Sequence, residues 1–239
     1  MARLSFVLIA VALIVGMASR VQASIFVPDG LSPGDSYHFA FVTDSSYTVD
    51  YDPISTFNNR VTDQAGLSGA ITEDWNINWN LIGSTDSVDA RDNAIVSGPV
   101  FLLDGTKIAD DYNDMWDGNL DVGIYLDQFG NATNILTVAW TGSSGDGTAV
   151  SGFNLDDDQK VVGLVHAHNY EAIGIWLGQA LRTRLTDTAH FYALSEPLTV
   201  PDGNLEPNPI PEPASIITWT LLGVVGCIAT WWRRRRRAG

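Results

Sequence analysis

A long apolar run near the C-terminus constrains the architecture of this chain more than any other feature. The run covers residues 214–232 and contains no charged side chain. A helix of this length spans roughly 28 Å, close to the thickness of a bilayer's hydrocarbon core. An arginine cluster follows the run directly: Arg233, Arg234, Arg235, Arg236 and Arg237. Because clustered positive charge stays on the cytoplasmic side, the sequence predicts a C-terminal transmembrane helix with the preceding chain exported.

The triplet Pro211-Glu212-Pro213 stands immediately before this run. The ordered set of triplet, apolar run and arginine cluster resembles the PEP-CTERM sorting signal of Gram-negative bacteria, also named the ice-binding protein C-terminal domain. The resemblance covers residues 209–239. It implies recognition by exosortase, a membrane cysteine transpeptidase, with processing near the triplet and transfer to the cell surface or to an exopolysaccharide matrix. A plain membrane anchor is the alternative interpretation.

The N-terminus has the features of a secretory signal peptide. Arg3 supplies a positive start, residues 4–18 are apolar, and Val21-Gln22-Ala23 fits the small-residue cleavage pattern. The sequence therefore predicts a signal peptide over 1–23, an exported ectodomain over 24–200, a proline-rich linker over 201–210 and a sorting signal over 211–239.

The exported region is strongly acidic and lacks cysteine. It holds six of the 13 basic residues, whereas all 28 acidic residues fall within 29–212. This balance disfavours nucleic acid as a partner, because nucleic-acid binding requires a basic surface. The single cysteine, Cys227, lies inside the apolar run. The ectodomain must therefore be stabilised by core burial rather than by disulfides, and its length suits one domain.

Hydrophobic periodicity predicts an α+β fold with a mixed or antiparallel sheet and one main helix. That helix is predicted over 54–67, where Phe57 and Val61 recur at helical spacing before Gly66. Shorter helices are predicted over 88–94 and 107–115. Strands are predicted over 37–43, 75–79, 99–103, 135–141, 161–165, 173–176 and 189–194.

Several stretches resemble an endostatin or C-type-lectin-like domain over residues 37–200. They are Phe41-Val42-Thr43, the run 86–93, the run 103–109, and Val138-Ala139-Trp140-Thr141-Gly142 followed by Asp146-Gly147. The resemblance implies that the Trp-x-Gly run ends a core strand before a long polar loop, with a closing strand at 191–194. The cysteines that usually staple this fold are absent. Glu206-Pro207-Asn208 spells the family's sugar-site triplet, but it lies in the linker, so no sugar-binding residues are carried over.

Acidic clusters provide the candidate ligand and metal residues. Asp110, Asp111, Asp114 and Asp117 surround Trp116, whose ring could stack on a sugar. A second run comprises Asp156, Asp157 and Asp158. Carboxylates could bind a structural calcium ion through Asp110, Asp111, Asp156 or Asp158, although solvated acidic loops are the simpler interpretation. A metal site at His166 and His168 with His190 is a further alternative to ordinary surface histidines.

No nucleophile, phosphate-binding or zinc-protease motif occurs in the sequence, so no catalytic residue is predicted. The sequence predicts an exported surface or matrix protein whose ectodomain is a binding or structural module, with glycan as the candidate ligand. A secreted glycan hydrolase and a purely structural matrix component are the alternatives. The predicted partners are exosortase, the secretion machinery, the membrane and exopolysaccharide.

Overall fold

The computed structural model describes residues 25–158, 160, 162–165 and 188–202. The chain divides into two units after Val200, and every described helix and strand belongs to the first unit. The helices are α1 (Ile54–Ala65), α2 (Ala90–Asn93) and α3 (Tyr112–Met115). The strands are β1 (Ser36–Val42), β2 (Trp79–Leu81), β3 (Val100–Leu102), β4 (Lys107–Ala109), β5 (Val138–Trp140), β6 (Val162–Leu164), β7 (His190–Ser195) and β8 (Leu198–Thr199).

The strands form one mixed sheet in the order β4-β3-β1-β7-β5-β6, with β2 beside β7 and β8 beside β1. Strand β7 is central because it is paired along both of its edges. Along one edge it pairs antiparallel with β1. Along its other edge, β7 pairs parallel with β5 and antiparallel with β2. Strand β1 also pairs in parallel with β3. The last two described strands, β7 and β8, therefore both pair with the first strand, β1. The predicted α+β class with a mixed sheet is confirmed.

Both faces of the sheet are buried, which explains why β1 and β7 are almost continuously apolar. Phe39 and Phe41 of β1 point to one face and pack with Phe191 of β7 and with α1. Ala40 and Val42 point to the other face, into a second cluster that contains Met115 and Trp116. The domain therefore has a core layer on each side of one sheet.

Helix α1 forms where the sequence predicts it and covers the first of these layers. Phe57, Val61 and Ala65 are spaced by four residues, so they share one face of the helix, and all three are buried. The ring of Phe57 lies 5.7 Å from that of Phe191. The helix ends at Gly66, whose amide donates to the carbonyl groups of Thr62 and Gln64.

Three predicted elements differ from the structure. The alternation over 75–79 predicted a strand, but β2 begins only at Trp79, because Asn76 adopts a left-handed conformation with φ 53°. Residues 107–115 were predicted to be one short helix. Instead β4 pairs with β3, and only Tyr112–Met115 is helical. Residues 135 and 136 lie outside β5 and are exposed, so that strand is shorter than predicted.

Several predictions concern residues outside the described ranges. These include the signal peptide, the strand over 173–176, most of the linker, the transmembrane helix over 214–232 and the whole sorting motif: Pro211, Glu212, Pro213, Arg233, Arg234, Arg235, Arg236 and Arg237. Within the described ranges, no helix has the length and apolar character needed to cross a membrane.

Candidate functional site

The loop that follows β5 begins with a close backbone contact at Gly142. This residue has φ 60°, and a Cβ atom there would lie 2.6 Å from the carbonyl oxygen of Ser84 and 2.7 Å from the amide nitrogen of Leu155. No other residue type fits both the conformation and the space. The glycine of the Trp-x-Gly run therefore brings the loop after β2 together with a later stretch of its own loop at one end of the sheet.

Two buried serines join the loop after β2 to the loop after β5. The hydroxyl of Ser143 donates to the carbonyl of Thr141 at 2.9 Å, so it accepts from the hydroxyl of Ser84 at 2.8 Å. The Ser84 oxygen also accepts from the amide of Ala90, at the start of α2. Both serines are fully buried. These bonds fix the position of the loops relative to the sheet.

A second set of contacts holds the tip of the loop after β5. The carboxylate of Asp89 accepts from the amide of Ala149 at 2.7 Å. Burial opposes ionisation of Asp146. Hydrogen bonds from Ser144 and Thr148 nevertheless hold the pKa of this carboxyl below its ordinary value. Hydrogen bonds within the loop and from the loop to Asp89, which precedes α2, therefore hold its tip in place.

Trp116 belongs to the core and not to a surface that a ligand could reach. It is 6% exposed, and it packs against Gly147 so closely that a Cβ atom there would lie 2.5 Å from its Cε3 atom. Its ring faces are covered, so the predicted stacking of Trp116 on a sugar is wrong for this structure. The surrounding acidic sequence suggested exposure, whereas the tertiary contacts bury the ring.

The aspartates around Trp116 serve local backbone bonds. Asp111 caps α3 by accepting from the amides of Asn113 and Asp114. Asp114 accepts from the amide of Asp110, and Asp117 accepts from the amide of Asn119. Asp110 itself pairs with Lys107. Asp110, Asp111, Asp114 and Asp117 are therefore placed as turn and cap residues rather than as a shared ligand set.

The second acidic run forms part of a surface assembled from three separate segments. We call it the Tyr51 surface; it comprises Asp50, Tyr51, Asp86, Asp156, Asp157 and Asp158. The carboxylate of Asp156 accepts from the amide of Asp86 at 3.0 Å. The amide of Leu155 donates to the carbonyl of Ser84, which attaches the acidic run to the loops described above.

Tyr51 is the exposed aromatic residue of this surface. Its side chain is 63% exposed, and its hydroxyl donates to the carboxylate of Asp158. This hydrogen bond, reinforced by the negative charges of Asp158, Asp157 and Asp50, raises the pKa of the phenol above its usual value. The surface thus offers an aromatic ring bordered by carboxylate oxygens.

Lys160 lies beneath the ring and is buried. Its ammonium nitrogen is 5.7 Å from the ring centroid of Tyr51, and it donates to the carbonyl of Asp157. Burial lowers the pKa of Lys160, while the charges of Asp157, Asp158, Asp50 and Asp156 oppose that shift. One side of the tyrosine ring therefore faces a cation held inside the protein.

The structure brings Asp156 and Asp158 of the predicted set to one surface, separate from the capping aspartates. Among the described residues, no group of three or more histidine, cysteine or acidic side chains is placed to hold a metal ion. His190 contacts the carbonyl of Thr43 through Nδ1 at 2.5 Å. His166 and His168, its predicted metal partners, lie outside the described residues. Sequence reasoning missed Tyr51 and Lys160; the signal available for Tyr51 was its position between Asp50 and Asp52.

Neither a family model nor a curated protein matches the chain.

Proposed function

We propose that this chain is an exported bacterial surface or extracellular-matrix protein that exosortase processes at its C-terminus. The sequence pattern carries the proposal: a proline-glutamate-proline triplet, an uncharged run over 214–232 and an arginine cluster stand in the order that the sorting signal requires. The signal peptide supplies export. The run then holds the precursor in the membrane while the triplet is presented outside the cytoplasm.

Two variants separate sorting from simple anchoring. Deletion of residues 211–239 should release the protein from the cell envelope. Replacing Pro211, Glu212 and Pro213 with alanine keeps the apolar run and the arginines, so the precursor should stay in the membrane and accumulate unprocessed. The measurement is the size and cell fraction of the protein in a host that carries exosortase. Surface attachment that survives the deletion, or processing that survives the alanine replacement, would contradict the sorting role.

For the ectodomain, we propose a lectin-like module that binds a surface polysaccharide through the Tyr51 surface. The observation that carries this is the exposed ring of Tyr51 with Asp158 bonded to its hydroxyl and further carboxylates beside it. Aromatic rings stack on the C–H faces of sugars, and carboxylate oxygens accept hydrogen bonds from sugar hydroxyls. The position of Trp140 and Gly142 before the polar loop, with β7 as the closing strand, supports the lectin-like interpretation of the fold.

Hydrolysis of surface glycans remains the alternative, and it would require an isolated pair of carboxyl groups in a cleft. Asp127 is the buried acidic side chain of the described residues. It accepts from the amides of Phe129 and Asn131, which form a tight turn. Because this carboxylate is committed to a turn, the geometry supports binding better than acid–base chemistry.

The binding proposal is tested with the full-length chain in a detergent that contains no sugar. A glycan array, with calcium and with chelator, should give binding that Tyr51→Ala removes. Tyr112→Ala is the matched control, since Tyr112 is also exposed and follows two aspartates. Absence of glycan binding under both conditions, or equal binding by the two variants, would overturn the role of the Tyr51 surface. Binding that requires calcium would assign an ion to the site.

A further inference from the structure

A cleft of about 270 Å³ lies between the C-terminal end of α1 and the segment that leads into β2. Thr62, Ala65 and Gly66 form its α1 side. The other side comes from residues of the connecting segment: Thr72, Glu73, Asn76, Ile77, Asn78 and Trp79. The cleft shares no residue with the Tyr51 surface. Its volume is just below the range of typical small-molecule sites, which extends from about 300 Å³ upward, so it suits a small ligand.

The two sides of the cleft are fixed to each other. The hydroxyl of Thr62 donates to the carbonyl of Trp79 and accepts from its amide, both at 3.1 Å. The hydroxyl of Thr72 donates to the carbonyl of Ala65 at 2.7 Å. Trp79 and Thr72 are almost fully buried. The cleft is therefore preformed, and a ligand would not have to order its two sides on binding.

Asn76 stands at this cleft in an unusual backbone conformation. With φ 53°, it is the one residue other than glycine among those described that has a positive φ. Asparagine tolerates this region better than most residues, but the conformation still costs free energy. Its side chain is exposed and makes no hydrogen bond to another described residue. An amide with two donors and an acceptor is thus left available at the opening.

Two further side chains leave acceptor atoms available at the cleft. Glu73 uses Oε2 to accept from the amide of Gly69 at 2.7 Å. Asn78 uses Nδ2 to donate to Glu196 at 3.1 Å. Oε1 of Glu73 and Oδ1 of Asn78 are therefore open to a ligand. Donors and acceptors together therefore surround the cleft.

We propose that this cleft is a binding site for a single neutral sugar residue. Amide and carboxylate groups match sugar hydroxyls, and the half-buried side chain of Ile77 can cover a C–H face. None of the described lining residues is basic, whereas Glu73 is acidic, so the site disfavours an anionic sugar. The site goes beyond polysaccharide binding at the Tyr51 surface and does not depend on it.

The test is saturation-transfer NMR on the full-length chain in a detergent that contains no sugar. The probes are the methyl glycosides of glucose, galactose and mannose, with glucuronic acid as the anionic comparison. At least one neutral glycoside should show transfer at millimolar concentration, and glucuronic acid should bind more weakly. No transfer from any neutral glycoside, or equal transfer from glucuronic acid, would overturn the proposal.

Two variants locate the binding in the cleft. Asn76→Gly keeps a residue suited to positive φ and removes the amide, so it should lower affinity about tenfold with an unchanged melting temperature. Gly66→Phe places a ring at the cleft and should also lower affinity. The fold should accept this change, because the added Cβ atom would meet only the carbonyl oxygens of Thr62 and Asp63, at 3.7 Å. Wild-type affinity in both variants would overturn the assignment. Tyr51→Ala should leave this binding unchanged, which separates its outcome from that of the polysaccharide test.

Discussion

The hydroxyl of Tyr51 donates a hydrogen bond to the carboxylate of Asp158, a residue 107 positions later in the chain. The bond joins the segment before α1 to the acidic run after β5, and Lys160 lies under the same ring. Pairs this exposed contribute little to folding, because water screens them and the side chains lose freedom. The bond therefore orients the ring rather than stabilising the domain.

The first prediction concerns the ionisation of Tyr51. Asp158→Asn removes the carboxylate that accepts the hydrogen bond of the Tyr51 hydroxyl and whose charge disfavours the phenolate, so the pKa of Tyr51 should fall toward its ordinary value of 10.0. Ultraviolet absorbance titration measures the change, with Tyr51→Phe identifying which part of the signal belongs to this residue. The melting temperature should stay the same. A titration curve unaltered by Asp158→Asn would show that the two side chains do not interact in solution.

The second prediction concerns pH and the buried His38. The amide of Ser97 donates to Nε2 at 3.0 Å, so Nδ1 carries the proton and donates to the carbonyl of Ser195 at 2.9 Å. Burial lowers the pKa of His38 below 6.5 in the folded protein, and the bond to Ser195 only partly opposes this. The unfolded chain therefore binds the proton more readily than the folded one. The contribution of neutral His38 to the free energy of unfolding is complete above pH 6.5. It is lost as the pH falls through the lowered pKa, by up to about 1.4 kcal/mol per pH unit.

Urea unfolding between pH 7.5 and pH 5 measures this effect. His38→Gln has no group that titrates there, so its free energy of unfolding should vary less with pH, whatever its absolute stability. The difference between the two slopes isolates His38 from the carboxyl groups, which both proteins share. Equal slopes would mean that His38 keeps its ordinary pKa in the folded state.

The third prediction compares two glycines with similar backbone angles. Gly147 has φ 77°, and a Cβ atom there would lie 2.5 Å from Trp116 and 2.9 Å from Arg91. Gly147→Ala should therefore reduce the free energy of unfolding by about 2–4 kcal/mol, because strain and overpacking add. Gly152 has φ 80° with nothing within 4 Å, so Gly152→Ala should cost only the strain, about 1–2 kcal/mol. Chemical denaturation measures both, and equal losses would contradict the packing of Trp116 against the loop.

The fourth prediction concerns the buried serine pair. Ser143→Ala leaves the hydroxyl of Ser84 without its acceptor and should cost about 1–3 kcal/mol. Ser144 is the matched control because its hydroxyl bonds at the partly exposed loop tip, to Asp146 and Thr148. Ser144→Ala should cost less. A larger loss for Ser144→Ala in urea unfolding would show that the loop tip, rather than the serine pair, connects the loops.

Local sequence determined the elements whose side chains repeat with a clear period. Phe57, Val61 and Ala65 share one helical face in any surroundings, so α1 follows from spacing alone. The β-branched and aromatic residues of 37–43 likewise predict a strand, and β1 forms there. Composition and absent cysteines also determined that this acidic domain must be held together by its core.

Tertiary structure decided the features that depend on residues far apart in sequence. Residues 107–109 are a strand because Val100 supplies a pairing partner for Ala109, which local helical spacing could not reveal. Trp116 is buried because the loop carrying Gly147 covers it, although its own neighbours are acidic. The sequence alone predicted acidic ligand residues, but only the folded chain placed Asp158 against Tyr51. Periodicity records which face of an element is apolar, whereas long-range contacts decide which side chains meet.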